Sequence, residues 1–74
     1  MNISEQNHIQ ILIMRENLRN LRIKKGLSLK DLAKIIQIKQ KYLVDIENGK
    51  DFDIQFLFKL CHFYDIEIHK IFSL

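Results

Sequence analysis

The segment from Leu27 to Lys50 constrains the fold most, because it predicts two short helices joined by a tight turn. Ser28 is a favourable N-cap, since its hydroxyl can accept a hydrogen bond from a free backbone N–H at the start of a helix. Apolar residues then recur at helical spacing as far as Ile36, and the pattern restarts in a new phase after Ile38. Neither helix can bury its apolar stripe alone, so the pair must pack against other helices.

The second helix of the pair has its own apolar face and its own stop signal. Leu43 and Ile46 lie one turn apart and are expected to face inward. Gly49 follows them, and glycine suits the left-handed residue that often ends a helix because it has no Cβ atom. We therefore expect this helix to span residues 39–48.

An apolar stripe upstream of the pair predicts a long first helix that ends at Gly26. Its members fall at i, i+3, i+7 and i+10, on one helical face: Ile11, Met14, Leu18 and Leu21. The largely polar residues 1–8 are expected to form a flexible arm. Three apolar residues lie off the stripe and either extend the core or make the arm a dimerisation element: Ile9, Leu12 and Ile13.

Two further helices are predicted after the pair. Asp53 is a favourable N-cap for a fourth helix, and apolar residues recur at helical spacing from there to Asp65. Residues 67–72 predict a brief fifth helix. The chain has no proline and only two glycines, so we predict an all-α fold, a compact five-helix domain that spans residues 1–74.

Charge is concentrated around the helix pair. The net charge is +3 at pH 7. Residues 22–50 hold eight basic and three acidic residues, a balance of +5, whereas the other residues hold four basic and six acidic ones, a balance of −2. This asymmetry favours an encounter with a polyanion.

The remaining composition points away from membranes, disulfides and catalysis. The apolar run at residues 9–14 is too short to span a membrane, and the lone Cys61 cannot form an internal disulfide, so we expect a cytoplasmic protein with a buried thiol. Cys61 and His62 are adjacent, and adjacent helical residues point apart. With His8 and His69 isolated, we expect no enzyme activity, no metal, no cofactor and no small-molecule ligand.

The segment LSLKDLAKIIQIKQKYLVDIENGK, residues 27–50, resembles the Cro/C1-type (XRE) helix-turn-helix family, which includes the DNA-binding domains of phage repressors and many small bacterial regulators. The shared features are the Leu-Ser start, the Asp-Leu-Ala run at 31–33, Ile38 after the turn, and the run at 46–50. The resemblance implies a lambda-repressor-like five-helix fold whose third helix enters the major groove of double-stranded DNA.

The resemblance also implies which residues would contact DNA, although the simpler interpretation of each is a solvated helix face. Base edges would be read from the start and outer face of the third helix by Gln40, Lys41, Val44 and Asp45. Phosphates would be bound by Ser28, Lys30, Lys39, Asn48 and Lys50. A family glutamate that pairs with an arginine late in the first helix corresponds to Glu47 and Arg22, so we expect a partly buried structural ion pair.

Four residues depart from the family pattern: Leu29 and Asp51 replace residues that contact phosphate in the family, and Gln37 and Lys39 change helix ends. Gln37 stands where the family turn favours glycine, and a positive φ there would cost about 1 kcal/mol. Lys39 stands at the usual Ser or Thr cap of the third helix, so we expect that end to be less well capped but more positive. All four departures are expected to leave the fold intact.

Two functions are compatible with these features. The first is a sequence-specific transcriptional regulator, such as a repressor, that binds a two-fold operator as a homodimer, because one helix reads few base pairs and two copies multiply affinity. Its dimer interface is expected at the C-terminal apolar residues, which alternatively complete the core: Ile66, Ile68, Ile71, Phe72 and Leu74, assisted by Phe58 or Phe63.

The second function is a protein-interaction module without specific DNA binding. The segment IKQKYLVDIENG also resembles the helix-turn-helix domain of the bacterial cell-shape protein RodZ, in which that fold binds a cytoskeletal partner. Lys39 and Lys41 would then meet an acidic protein surface, and surplus phenylalanines would supply apolar contact.

Overall fold

The computed structural model describes residues 3–50 and 52–73, with side chains from His8 onward in those ranges. It consists of α1 (Ile3–Lys24), α2 (Leu29–Ile36), α3 (Gln40–Glu47), α4 (Ile54–Tyr64) and a final 3₁₀ helix (Ile68–Phe72). The described residues contain no strand, so the all-α prediction is confirmed.

The predicted fifth helix is a 3₁₀ helix, so the expectation of five α-helices was wrong in this element. Its backbone bonds span three residues, as from the Lys70 N–H to the Glu67 carbonyl at 2.9 Å. Five residues after a tight turn leave little room for the longer bonds of an α-helix, and short 3₁₀ pieces are common in such positions.

Helix α1 is longer than the apolar stripe predicted. It has 22 residues, about 33 Å at the usual helical rise, and the whole molecule measures 40 × 21 × 18 Å. Its backbone is helical from Ile3, and residues 3–8, assigned to a flexible arm from the sequence, belong to it.

All four α-helices end on a residue with left-handed backbone. In each case the N–H of the next residue donates to the carbonyl five positions back, at 2.9–3.2 Å, which is the Schellman arrangement. The left-handed residues, with φ between 53° and 74°, are Gly26, Gln37, Gly49 and Asp65. The prediction of a left-handed Gly49 is therefore confirmed, and Gln37 does have the positive φ whose cost was considered from the sequence.

The core lies between α1 and the helices that follow it. Every element contributes to it, through Met14, Leu18, Leu32, Ala33, Ile38, Leu43, Ile46, Leu57, Leu60, Cys61, Tyr64 and Ile71. Because Leu43, Ile46 and Glu47 hold the inner face of α3 against this core, the opposite face of α3 is turned outward.

Candidate nucleic-acid interface

The start of α2 presents a capped helix end with two of the expected phosphate contacts. Ser28 has extended backbone, and its Oγ accepts a hydrogen bond from the Asp31 N–H at 3.0 Å, as the sequence predicted for a cap. Ser28 and Lys30 are exposed. Free backbone N–H groups and a positive helix end lie beside them, and both attract phosphate.

The start of α3 is open and positive. Lys39 is the N-cap residue, and its side chain makes no capping hydrogen bond, in agreement with the poorer cap expected from the sequence. Lys39, Gln40 and Lys41 are all exposed. The Nζ of Lys41 lies 5.3 Å from the centre of the Tyr42 ring, where a cation is attracted to the aromatic face.

The outer face of α3 continues with Val44 and Asp45, both partly exposed. Gln40, Lys41, Val44 and Asp45 thus fall at i, i+1, i+4 and i+5 on one side of the helix. Tyr42 points elsewhere and packs against Phe56, with ring centres 5.0 Å apart. The structure therefore brings the four expected base readers onto one surface, which we call the α3 outer face.

Asp45 gives the α3 outer face one negative group among basic neighbours. Within the part of the chain that the structure describes, no ion pair involves this carboxylate. A carboxylate there repels phosphate and accepts a hydrogen bond from the amino group of cytosine. Asp45 therefore lowers the positive charge of the α3 outer face.

Arg22 and Glu47, the ion pair expected from the sequence, are joined by two parallel hydrogen bonds. Arg22 Nε donates to Glu47 Oε2 at 2.8 Å, and Arg22 Nη2 donates to Glu47 Oε1 at 3.1 Å. The exposed fractions of the side chains are 15% and 8%. Hydrogen bonding to Glu47 raises the pKa of Arg22 above its ordinary value.

The same arginine also reaches the turn before α2. Arg22 Nη1 donates to the Leu27 carbonyl at 2.8 Å, so one guanidinium connects α1, the Leu27 turn and the end of α3. Arg19 lies nearby, with its Nε 3.8 Å from Glu47 Oε1 and a side chain that is 41% exposed. These contacts hold α3 from the side that faces the core.

Arg15 makes a contact that the sequence did not predict. Its Nη1 donates to the Asn48 carbonyl at 3.1 Å, just beyond α3. The only available signal was the spacing of Arg15, Arg19 and Arg22 at i, i+4 and i+7, which places all three on one side of α1. The side chains of Asn48 and Lys50, the remaining expected phosphate contacts, are exposed.

The expected dimer residues do not form one exposed surface. Ile71 is fully buried in the core, so it completes the protomer and cannot contact a partner. Ile66, Ile68 and Phe72 are partly exposed, and Leu74 lies outside the described residues. Phe58 is 52% exposed beside an apolar groove lined by Ile36, Phe58, Lys59, His62 and Phe63.

The described residues lack two other kinds of site. No group of three or more His, Cys, Asp or Glu side chains is placed to hold a metal ion there. Helices long and apolar enough to cross a membrane are likewise absent from that part of the chain.

Comparisons with known proteins assign the central region of the chain to a protein family. A family model described as helix-turn-helix matches residues 18–71. A glutamine–fructose-6-phosphate aminotransferase (isomerizing) of Methanocaldococcus jannaschii is 40% identical over 60 residues. That match covers 78% of this chain but only 6% of the aminotransferase. No solved structure matches the chain significantly.

Proposed function

Because the chain belongs to the Cro/C1-type helix-turn-helix family, a family of DNA-binding regulators, we propose that it is a sequence-specific transcriptional regulator that binds a two-fold operator as a homodimer. Helix α3 would enter the major groove. Such a protein must share a compartment with DNA, so the proposed location is the cytoplasm.

The observation that carries this proposal is the α3 outer face. Gln40 and Lys41 are exposed, Val44 and Asp45 are partly exposed, and the opposite side of the helix is fastened to the core. A major groove about 12 Å wide accepts one helix. A helix whose inner side is held by the core can place the side chains of its outer side against base edges without refolding.

Each residue of the α3 outer face has a role that follows from its chemistry. The amide of Gln40 can form two hydrogen bonds with adenine, and Lys41 can donate to guanine. Val44 can pack on the methyl group of thymine, and Asp45 can accept from cytosine. The surface therefore has the means to distinguish bases as well as to bind them.

Phosphate contacts would flank this surface and set its register on the duplex. The cations are Lys30 at the start of α2, Lys39 at the start of α3 and Lys50 after its end, and all three are exposed. Ser28 and Asn48 would add neutral hydrogen bonds. Three cations per protomer predict a salt dependence with a slope of about −3 in log K against log salt, and about −5 for a dimer.

A homodimer is proposed because eight residues of α3 reach only one half-site. The partly exposed Ile66, Ile68 and Phe72, together with the exposed Phe58, are the proposed contact surface. An isologous contact of this kind would match the two-fold symmetry of an operator.

The second candidate function is a protein-interaction module. It is favoured by the apolar groove at Ile36 and Phe58, since an exposed apolar patch often marks a binding surface. The aminotransferase activity of the archaeal relative is not proposed for this chain, because the match covers only 6% of that protein.

Selection of duplexes from a randomised pool tests the proposed function. A regulator should enrich a two-fold sequence, and Gln40→Ala should cost about 1–3 kcal/mol and relax one base position. Lys41→Ala does the same if it reads a base, and weakens all sequences alike if it contacts phosphate. A protein-interaction module would enrich no sequence, and that result would reject the proposal.

A further inference from the structure

The turn after α3 is held from behind by the first helix. The Asn48 carbonyl, which no longer points into the helical ladder, accepts a hydrogen bond from Arg15 Nη1 at 3.1 Å. The two amides that follow are already used, since Gly49 N–H donates to Ile46 and Lys50 N–H donates to Asp45. Arg15 therefore adds a bond that the turn cannot make by itself.

Helix α1 also packs closely against this turn. A Cβ atom at Gly49 would lie 3.5 Å from Ile11 Cγ2 and 3.6 Å from Arg15 Nη1. The Nε of Arg15 is buried, without a hydrogen-bond partner among the described residues. The inner edge of the guanidinium is therefore buried, while its Nη1 is directed at the turn.

We propose that Arg15 is a positioning residue that fixes the turn at residues 48–50, so that Asn48 and Lys50 meet a phosphate in a preset orientation. A cation at the C-terminal end of α3 also complements the negative end of the helix dipole. Arg15 lies outside residues 18–71, the part that the family model matches. The contact between Arg15 and the turn therefore comes from the part of α1 that precedes the matched residues.

The proposal has one part that concerns the free protein and one that rests on the proposed DNA-binding function. In the free protein, Arg15 holds the turn. In the complex, it contributes by ordering Asn48 and Lys50 and does not itself neutralise a phosphate. Arg19 provides a matched control, because Arg19→Met removes the same charge from the same side of α1, and the Arg19 side chain approaches Glu47 at 3.8 Å rather than the Asn48 carbonyl.

Amide hydrogen exchange tests the first part. In Arg15→Met the Gly49 and Lys50 amides should exchange about tenfold faster than in the wild type, and in Arg19→Met they should not change. Equal exchange in both variants would overturn the proposal. If Arg15→Met does not fold, NMR of the wild-type guanidinium decides, since free rotation of the Arg15 side chain would rule out the bond.

Duplex binding tests the second part. Arg15→Met should bind about three- to tenfold more weakly than Arg19→Met, with an unchanged salt slope. A slope reduced by about 0.9 would mean that Arg15 contacts phosphate directly, and equal affinity of the two variants would mean that only charge matters; either result overturns this part. If the wild type binds no duplex, the proposed function fails, whereas the exchange result still decides whether Arg15 holds the turn at residues 48–50.

Discussion

Glu47 is a buried carboxylate whose partner determines what its burial costs. Two hydrogen bonds from Arg22 satisfy it, while Arg19 approaches only to 3.8 Å. A buried charge that loses its partner is far more costly than an exposed one. Replacing the more buried arginine should therefore cost more stability than replacing the more exposed one.

Replacing Arg22 should be severe. Arg22→Met is expected to lower the free energy of unfolding by about 3–5 kcal/mol, because it leaves Glu47 buried without a partner. Arg19→Met should cost less than about 1 kcal/mol, since Arg19 is more exposed than Arg22 and lies 3.8 Å from the carboxylate. Urea denaturation of both variants measures the difference, and equal midpoints would show that the pair has no special weight.

Tyr64 should make the protein sensitive to alkali. Burial raises the pKa of Tyr64 to about 12, and the nearby Glu47 charge adds to the effect. The folded state keeps the phenol proton to a higher pH than the unfolded state does. The protonated phenol therefore makes a contribution to the free energy of unfolding that is complete below pH 10 and is lost between pH 10 and 12. Its size is of the order of 2–3 kcal/mol.

Tyr64→Phe isolates that contribution. The hydroxyl has no hydrogen-bond partner among the described residues, so its removal should be neutral or stabilising at pH 7. Above pH 10 the variant should lose stability less steeply than the wild type in the same urea titration. Parallel loss of stability in the two proteins would contradict a buried phenol.

At the scale of the secondary-structure element, helix ends separate what the sequence predicts from what it cannot. The caps at Ser28 and Asp53 and the left-handed residues at Gly49 and Asp65 follow from residues within five positions, and local patterns reveal them. The Arg15 bond joins residues 33 positions apart. Only the packing of α1 across the end of α3 brings those two groups together.

The C-terminal residues show the same limit. Ile71 is indistinguishable from Ile68 by composition or spacing, yet Ile71 is fully buried and Ile68 is partly exposed. A 3₁₀ helix places residues three apart on one face, and both isoleucines pack against the core. Only tertiary packing, such as that of α1 where Asn17 Nδ2 donates to the Ile71 carbonyl at 2.8 Å, decides which of them is fully covered. The expected interface was therefore mixed with core.

Gln37 offers a test at a helix end. Left-handed backbone costs a residue with a Cβ atom about 1–2 kcal/mol, partly offset by the greater freedom of glycine in the unfolded chain. Gln37→Gly should therefore stabilise the protein by about 0.5–1 kcal/mol, a rise of a few degrees in Tm. Asp65→Gly should gain less, because Asp tolerates this conformation better. A larger gain at Asp65 than at Gln37 would contradict the explanation.

At the scale of the whole molecule, the proposed dimer makes DNA affinity depend on protein concentration. Ile68→Gln and Phe58→Gln should each weaken self-association by about tenfold or more, since each places a polar amide in an apolar contact. Ile23→Gln is the control, because Ile23 is 59% exposed on α1 and outside the proposed surface. Sedimentation equilibrium measures the change. A wild type that stays monomeric at every concentration would contradict the dimer.

Insertion of the α3 outer face into the major groove can be observed by titrating ¹⁵N-labelled protein with a duplex. The amides of residues 28–30 and 39–45 should shift or broaden as DNA is added, while those of residues 54–64 in α4 stay nearly unchanged, and high salt should reverse the effect. Shifts confined to α4 and the C-terminal 3₁₀ helix, or none at low salt, would contradict this insertion.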